Sequence, residues 1–318
     1  MNTVQHWQAT LGIDGEADRI TTIGDDIVEI GLLDQGPTKA PQTGLGVIEV
    51  SGPDACDFLH AQLTADCRKL QPGHSLLAAW CSPKGRVLYL LRLIRNEDSF
   101  IILVPDEQCD ALIKRLSMFV LRAQVVLTNQ SADYTVIQCN GDFAAPASGD
   151  VFVGRDRTQT WFVVPFSGLG QTWQAIPAQA VGEAALMLQD IRLGIAHLPV
   201  SLSDTFLPQE LNLDISDGVS FEKGCYPGQE IVARVKFRGE VKRRLARLLG
   251  QTTDRPVPGT RIVTRDGEPL GTVLLAETTG EQQVEILAVL NRAADTVFLS
   301  GADADALSRG AMIYELGE

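Results

Sequence analysis

Residues 221–245 read FEKGCYPGQEIVARVKFRGEVKRRL. Within them, Tyr226-Pro227-Gly228-Gln229 places proline second and glycine third in a four-residue turn. That is the chemistry of a type II turn, whose third position needs a positive φ. EIVARVKF follows, with Ile231 and Val235 one helical turn apart, so a helix is expected to begin directly after the turn. From Arg234 to Arg247 the chain then carries seven bases (Arg234, Lys236, Arg238, Lys242, Arg243, Arg244, Arg247) against one acid, Glu240. The protein as a whole carries a net charge of −13, so this run stands against its background.

The turn and the run each allow two interpretations. Cys225 precedes the expected helix N-terminus, where unpaired N–H groups and the macrodipole favour an anion. Lys223 adds a positive charge two residues earlier, and both effects favour thiolate. Alternatively Cys225 packs inward and Lys223 is a solvated surface residue. The basic run, if focused, suits a polyanion such as a polyglutamate tail, a phosphate backbone or a carboxylate. The alternative is a strand rim that balances Glu222, Glu230 and Glu240.

A chain of 318 residues is too long for one comfortable core, and two or three domains are expected. Apolar residues make up 45% and charged residues 21%, the composition of an ordinary globular chain. The first forty residues are polar and glycine-rich, with 31–41 expected as a loop. GLGVIEV (44–50) reads as a strand, and Gly52-Pro53-Asp54 as a turn into a helix with Pro53 at its first position. Strands are expected at 75–82, 86–95, 99–105, 123–128, 134–139 and 160–166. Helices are expected over 106–120 and 178–193, and a loop over 140–150. The last seventy residues hold short apolar runs between Gly, Pro and Asp turns, which predicts a small β-barrel or sandwich. The organisation is thus α+β followed by β. We expect an N-terminal α+β lobe over 1–129, a second α+β lobe over 130–245 interleaved with the first, and a β-barrel over 246–318.

Several functions find no support in the sequence. His6, His60, His74 and His197 show no HxxH, HExxH or neighbouring-carboxylate spacing, and no zinc ligand set is present. GLG (44–46) and SGLGQ (167–171) lack both the GxGxxG spacing and a P-loop lysine. The six cysteines form no CxxC pair, so no metal site or resident cluster is expected. MNTVQHWQATLGIDGEADRI has neither a basic n-region nor an apolar core, so no secretory leader is read and a cytoplasmic location with reduced thiols is expected. No stretch approaches the ~20 apolar residues that span a bilayer.

The block formed by Phe221, Lys223, Gly224, Cys225, Tyr226, Gly228, Gln229 and Glu230 resembles the signature of the YgfZ-type folate-binding proteins. These are relatives of the aminomethyltransferase (T-protein) of the glycine cleavage system. The similarity continues through PQELNLDISDGVS (208–220), and through 47–93, VIEVSGPDACDFLHAQLTAD to CSPKGRVLYLLRL. The resemblance implies a T-protein-like fold, with two interleaved α+β lobes and a small β-barrel around a folate-sized hole. It further implies tetrahydrofolate or a one-carbon derivative as ligand. The implied role is assistance to the maturation or repair of iron–sulfur proteins, including enzymes that modify tRNA. Expected partners are folate and iron–sulfur enzymes or assembly factors, without a membrane and without direct nucleic-acid binding.

Two departures from the transferases bear on mechanism. Where they carry a catalytic aspartate on the strand after a Lys-Gly turn, this chain has Tyr89 and Leu90, so nothing there supplies electrostatic stabilisation. Where they place a pterin-gripping glutamate in LRxExG, the aligned DIRLG has Arg192, with Asp190 as another acceptor. The expected site therefore pairs Cys225 and Lys223 as the reactive residues with Tyr226, Gln229, Glu230, Arg234, Arg238, Asp190 and Arg192 as ligand-binding residues. Arg234 and Arg238 face the glutamyl carboxylates. Three functions remain open: a folate-binding accessory factor, a folate-dependent one-carbon transferase or demethylase with an untypical base, and an RNA-binding module using the basic run. The last is poorly served, because Phe237 is the run's one aromatic for stacking.

Overall fold

A computed structural model describes residues 1–14, 17–144, 151–294, 296–301 and 306–312. Residues 145–150 of the expected loop lie outside them. The chain divides into two compact units, each assembled from separated segments. One comprises Met1–Trp80, Tyr89–Leu186 and Ser216–Pro227; the other comprises Cys81–Leu88, Met187–Ile215 and Gly228–Glu318.

Two sheets, each five-stranded among the described residues, build the first unit. One runs in the order Ser75–Cys81, Val87–Arg95, Ser99–Pro105, Leu45–Ser51, Val126–Asn129. The other runs Gln179–Ala180, Thr38–Pro41, Tyr134–Asn140, Gln159–Pro165, Phe152–Arg155. Runs such as FIILV are apolar at successive positions rather than alternate ones because both faces are buried. Val47, Ile94, Ile101 and Leu103 of the first sheet pack on Val136, Trp161 and Val163 of the second. Beyond the second sheet, the helix Thr3–Leu11 buries Trp7 with Phe162 and Trp173. The Trp7 indole donates to Thr135 Oγ1 at 2.8 Å, which satisfies its one polar atom.

The second unit is dominated by an antiparallel sheet in the order Phe298–Leu299, Arg261–Val263, Pro269–Gly280, Gln283–Asn291, Arg243–Gln251, Ser308–Gly310. An isolated bridge between Val297 and Leu307 joins its two edges. The sheet thereby closes into a small barrel and leaves no long free edge. Leu248, Ile262, Val273, Ile286, Leu290, Val297, Leu299 and Leu307 are among the residues that fill it.

Differences from the expected elements have local causes. Thr38–Pro41, read as loop, is a fully buried strand. It pairs with Tyr134–Asn140 and Gln179–Ala180, so distant partners rather than its own composition make it extended. The helix expected over 178–193 is Glu183–Leu193, because Gln179–Ala180 is claimed by that pairing. The helix expected over 106–120 is Cys109–Ser117, preceded by a 3₁₀ turn. The helix after Pro53 begins at Ala55, with Asp54 at the cap. The strand read at 123–128 is Val126–Asn129. The helices Thr3–Leu11 and Asp26–Leu32 lie in the polar first forty residues and were not anticipated. The first is stabilised by a capping box in which Asn2 and Gln5 exchange 2.9 Å hydrogen bonds.

Candidate functional site

The signature turn forms as its sequence requires. Gly228 has φ +79° and ψ 1°, and it precedes the helix Gln229–Arg238. A Cβ at Gly228 would lie 2.5 Å from the Ser82 carbonyl oxygen and 2.7 Å from Gly85 Cα. Gly85 is itself at φ +72°, and a Cβ there would meet Ile231 Cβ at 3.0 Å and the Gly228 carbonyl at 3.2 Å. The two glycines therefore let the Pro83-Lys84-Gly85 turn and the Pro227-Gly228 turn meet backbone to backbone.

Lys223 is neither solvated nor a surface residue. It is buried, and its ammonium donates to the carbonyls of His60, of Leu63 at 2.6 Å and of Ala65 at 2.9 Å. These carbonyls lie at and just beyond the end of the helix Ala55–Gln62, where acceptors go unmet and a cation is favoured. The ammonium also lies 5.1 Å from the centroid of the buried Tyr226 ring. Burial pushes the Lys223 amine down to about 8, opposed by the charges of Cys67 and Asp66. Lys223 thus anchors the turn that carries Cys225, and Cys225 itself is exposed.

The basic run is divided. Arg244 makes a two-pronged pair with Asp214 at 2.6 and 2.9 Å and donates to the Gln209 carbonyl at 2.9 Å. Arg243 pairs with Glu210 at 2.7 Å, and Arg247 with Glu285 at 2.6 Å. These three guanidiniums are spent on carboxylates of their own unit. The acids that balance them are Glu210, Asp214 and Glu285, not the nearby Glu222, Glu230 and Glu240. Arg234 and Arg238 differ. Both are exposed one turn apart on the helix Gln229–Arg238, and neither has an ion-pair partner among the described residues. Phe237, 70% exposed, lies on the same face, with the exposed Glu230 at the helix start and Gln229 as its half-buried first residue.

Arg192 and Asp190 lie on the helix Glu183–Leu193, and each has a structural partner. The Arg192 guanidinium meets Glu285 Oε1 at 2.9 and 3.1 Å, so Glu285 is held between Arg192 and Arg247. Asp190, 1% exposed, accepts from His197 Nε2 at 2.7 Å. His197 thus has a carboxylate partner that no short spacing in the sequence announces. Gly194 at φ +67° reverses the chain, the Ile195 amide bonds back to the Asp190 carbonyl at 2.8 Å, and seven residues of separation close to one hydrogen bond. His60 is a second case, with Nδ1 at 3.2 Å from Asp66 Oδ1, a close approach rather than an aligned hydrogen bond.

On the strand Val87–Arg95, Tyr89 and Leu90 are buried. The Tyr89 ring lies 5.8 Å from Trp80, which is 6.0 Å from Phe119. An aromatic cluster therefore surrounds this part of the strand. Among the described residues no helix is long and apolar enough to cross a membrane.

An α+β unit of two packed sheets, joined in one chain to a closed antiparallel barrel, is the architecture of the aminomethyltransferase fold. The crystal structure of the glycine cleavage system aminomethyltransferase T from Bartonella henselae matches with a TM-score of 0.77, over 97% of this chain and 96% of that one, at 16% identity. The chain has that fold. The heterotetrameric sarcosine oxidase from Corynebacterium sp. U-96, solved with pyrrole 2-carboxylate, matches 55% of this chain and 91% of that one with a TM-score of 0.33 and 13% identity. No protein-family model matches the sequence.

Proposed function

We propose that this chain is a folate-binding accessory protein. Its ligand is tetrahydrofolate or a one-carbon derivative, and it assists the maturation or repair of iron–sulfur proteins and, through them, tRNA modification. The observation that carries the binding half is the pair Arg234 and Arg238. They are two unspent guanidiniums a helical turn apart, directly after the KGCYPGQE turn, spaced for the carboxylates of a glutamyl tail. The residues fit the glutamyl end of a folate. They do not reproduce the pterin grip, since Arg192 is held by Glu285 and Asp190 is buried against His197. The aromatic setting of Tyr89 supports an accessory role without aminomethyl transfer. Cys225, on its anchored turn, is the group that meets a one-carbon adduct, an oxidant, a cluster sulfur or a partner protein. The assignment to iron–sulfur proteins rests on the KGCYPGQE resemblance alone.

Calorimetric titration with tetrahydrofolate tests the binding half. Binding is expected for the wild-type protein and should weaken at least tenfold for Arg238→Ala, the value of one charge-assisted contact of about 1.5 kcal/mol. No heat of binding from any reduced folate would remove the proposal. A second reading, a folate-dependent one-carbon transferase or demethylase with an untypical base, is favoured by the Asp190–His197 pair. Turnover of tetrahydrofolate with an N-methyl donor by the purified protein separates it from the accessory role.

A further inference from the structure

The proposed binding role uses the helix Gln229–Arg238 and the Lys223 turn and leaves the Asp190–His197 pair without a task. We propose that the pair is a proton-transfer dyad. His197 Nδ1 exchanges a proton with an N–H or O–H group of a bound small molecule, and Asp190 acts as the positioning residue. The hydrogen bond of 2.7 Å from Nε2 to Asp190 Oδ2 places the ring proton of the neutral imidazole on Nε2 and the lone pair on Nδ1. The His197 side chain is 28% exposed, and Nδ1 has no protein partner among the described residues. It is open enough to meet a ligand, while the ring is held by a carboxylate that is itself almost wholly enclosed. A helix end fixes the carboxylate, and the Gly194 turn fixes the histidine's backbone. This is the arrangement in which an acid orients a base and then balances the imidazolium that forms.

The other three histidines lack this combination. His6 stacks on Phe166 at 4.1 Å, His74 Nδ1 faces the Pro72 carbonyl at 3.2 Å, and His60 is buried with Asp66 and Lys223 beside it. In the step itself an N–H or O–H bond of the ligand breaks and an N–H bond forms at Nδ1. The resulting positive charge faces Asp190, and no other reactant is needed. Naming a reduced folate as that ligand rests on the folate reading above; the dyad does not.

Two measurements on the full chain keep those claims apart. Diethyl pyrocarbonate acylates an open imidazole nitrogen, and peptide mass mapping reads each histidine separately. His197 is expected to react fastest of the four, and Asp190→Asn to slow it about tenfold, as loss of an orienting partner does. In the same variant ¹⁵N spectra should show the Nε2–H tautomer giving way to a mixture, a change that general loosening would not produce. If His197 of the wild-type chain reacts no faster than His74, the dyad is refuted whatever the variants do. Tetrahydrofolate is then titrated calorimetrically in buffers of different ionisation enthalpy. Proton exchange on binding that is lost in His197→Gln supports the folate assignment. Binding with no such exchange overturns that assignment, and absence of binding overturns the folate reading, with the dyad decided by the acylation result.

Discussion

Replacing Lys223 by methionine should destabilise the first unit and loosen the turn that carries Cys225. Methionine keeps most of the stem's packing and removes the three donors that meet the His60, Leu63 and Ala65 carbonyls. Orphaned buried carbonyls cost about 1–3 kcal/mol each, so even at the low end the total is about 3 kcal/mol. Urea unfolding followed by tryptophan fluorescence reads this as a lowered midpoint at unchanged slope. Alkylation of the exposed Cys225 by iodoacetamide should change in the same variant and recover in Lys223→Arg. The pH dependence has a definite sign. Burial holds Lys223 at about 8 in the folded chain, against ~10.4 when unfolded. Between those values the unfolded chain holds a proton that the folded chain has released, so the group's contribution to stability rises with pH across that window and is lost as pH falls towards 8. The stability difference between wild type and Lys223→Met should therefore widen from pH 8 to pH 10. A methionine variant within ~0.5 kcal/mol of wild type, or a difference that narrows with pH, would refute the assigned anchoring.

Gly228→Ala forces a side chain into positive φ and against the Ser82 carbonyl; a loss of about 2–4 kcal/mol in denaturant unfolding is expected. Arg244→Ala strips the buried Asp214 of its partner and should cost about 3–5 kcal/mol, while the apolar double change Arg244→Met with Asp214→Leu should cost markedly less. Cys225→Ala should leave thermal stability unchanged, because the side chain is exposed, yet lower the activity of a cluster-dependent tRNA-modifying enzyme in cells. Full activity there would count against the proposed role of the thiol.

What could be read from the sequence followed from local chemistry. The strand Ser99–Pro105 and its neighbours declared themselves through apolar runs, and the helix Gln229–Arg238 through the proline–glycine turn before it. The closed barrel was legible as short apolar runs between turns. Where a residue's role is set by a distant partner, the sequence was silent. Thr38–Pro41 is a strand because residues a hundred positions away flank it. Lys223 caps a helix end up to 163 residues back in the chain. The basic run looked uniform, but Arg243, Arg244 and Arg247 are spent on Glu210, Asp214 and Glu285, which come from elsewhere, while Arg234 and Arg238 have no ion-pair partner among the described residues. The histidine dyad escaped because its spacing passes over the Gly194 reversal, and no short motif encodes that closure.

The carboxylate of Glu285, clasped from both sides, constrains how this chain could drift. Placing an acid at position 192 alone would set two like charges a hydrogen bond apart on adjoining elements. Replacing Glu285 by a base would leave three cations facing one another. Neither single step is smooth, so a change of charge at either position requires a joint exchange at two sites. Sequences that carry glutamate at the first site should be found without it at the second.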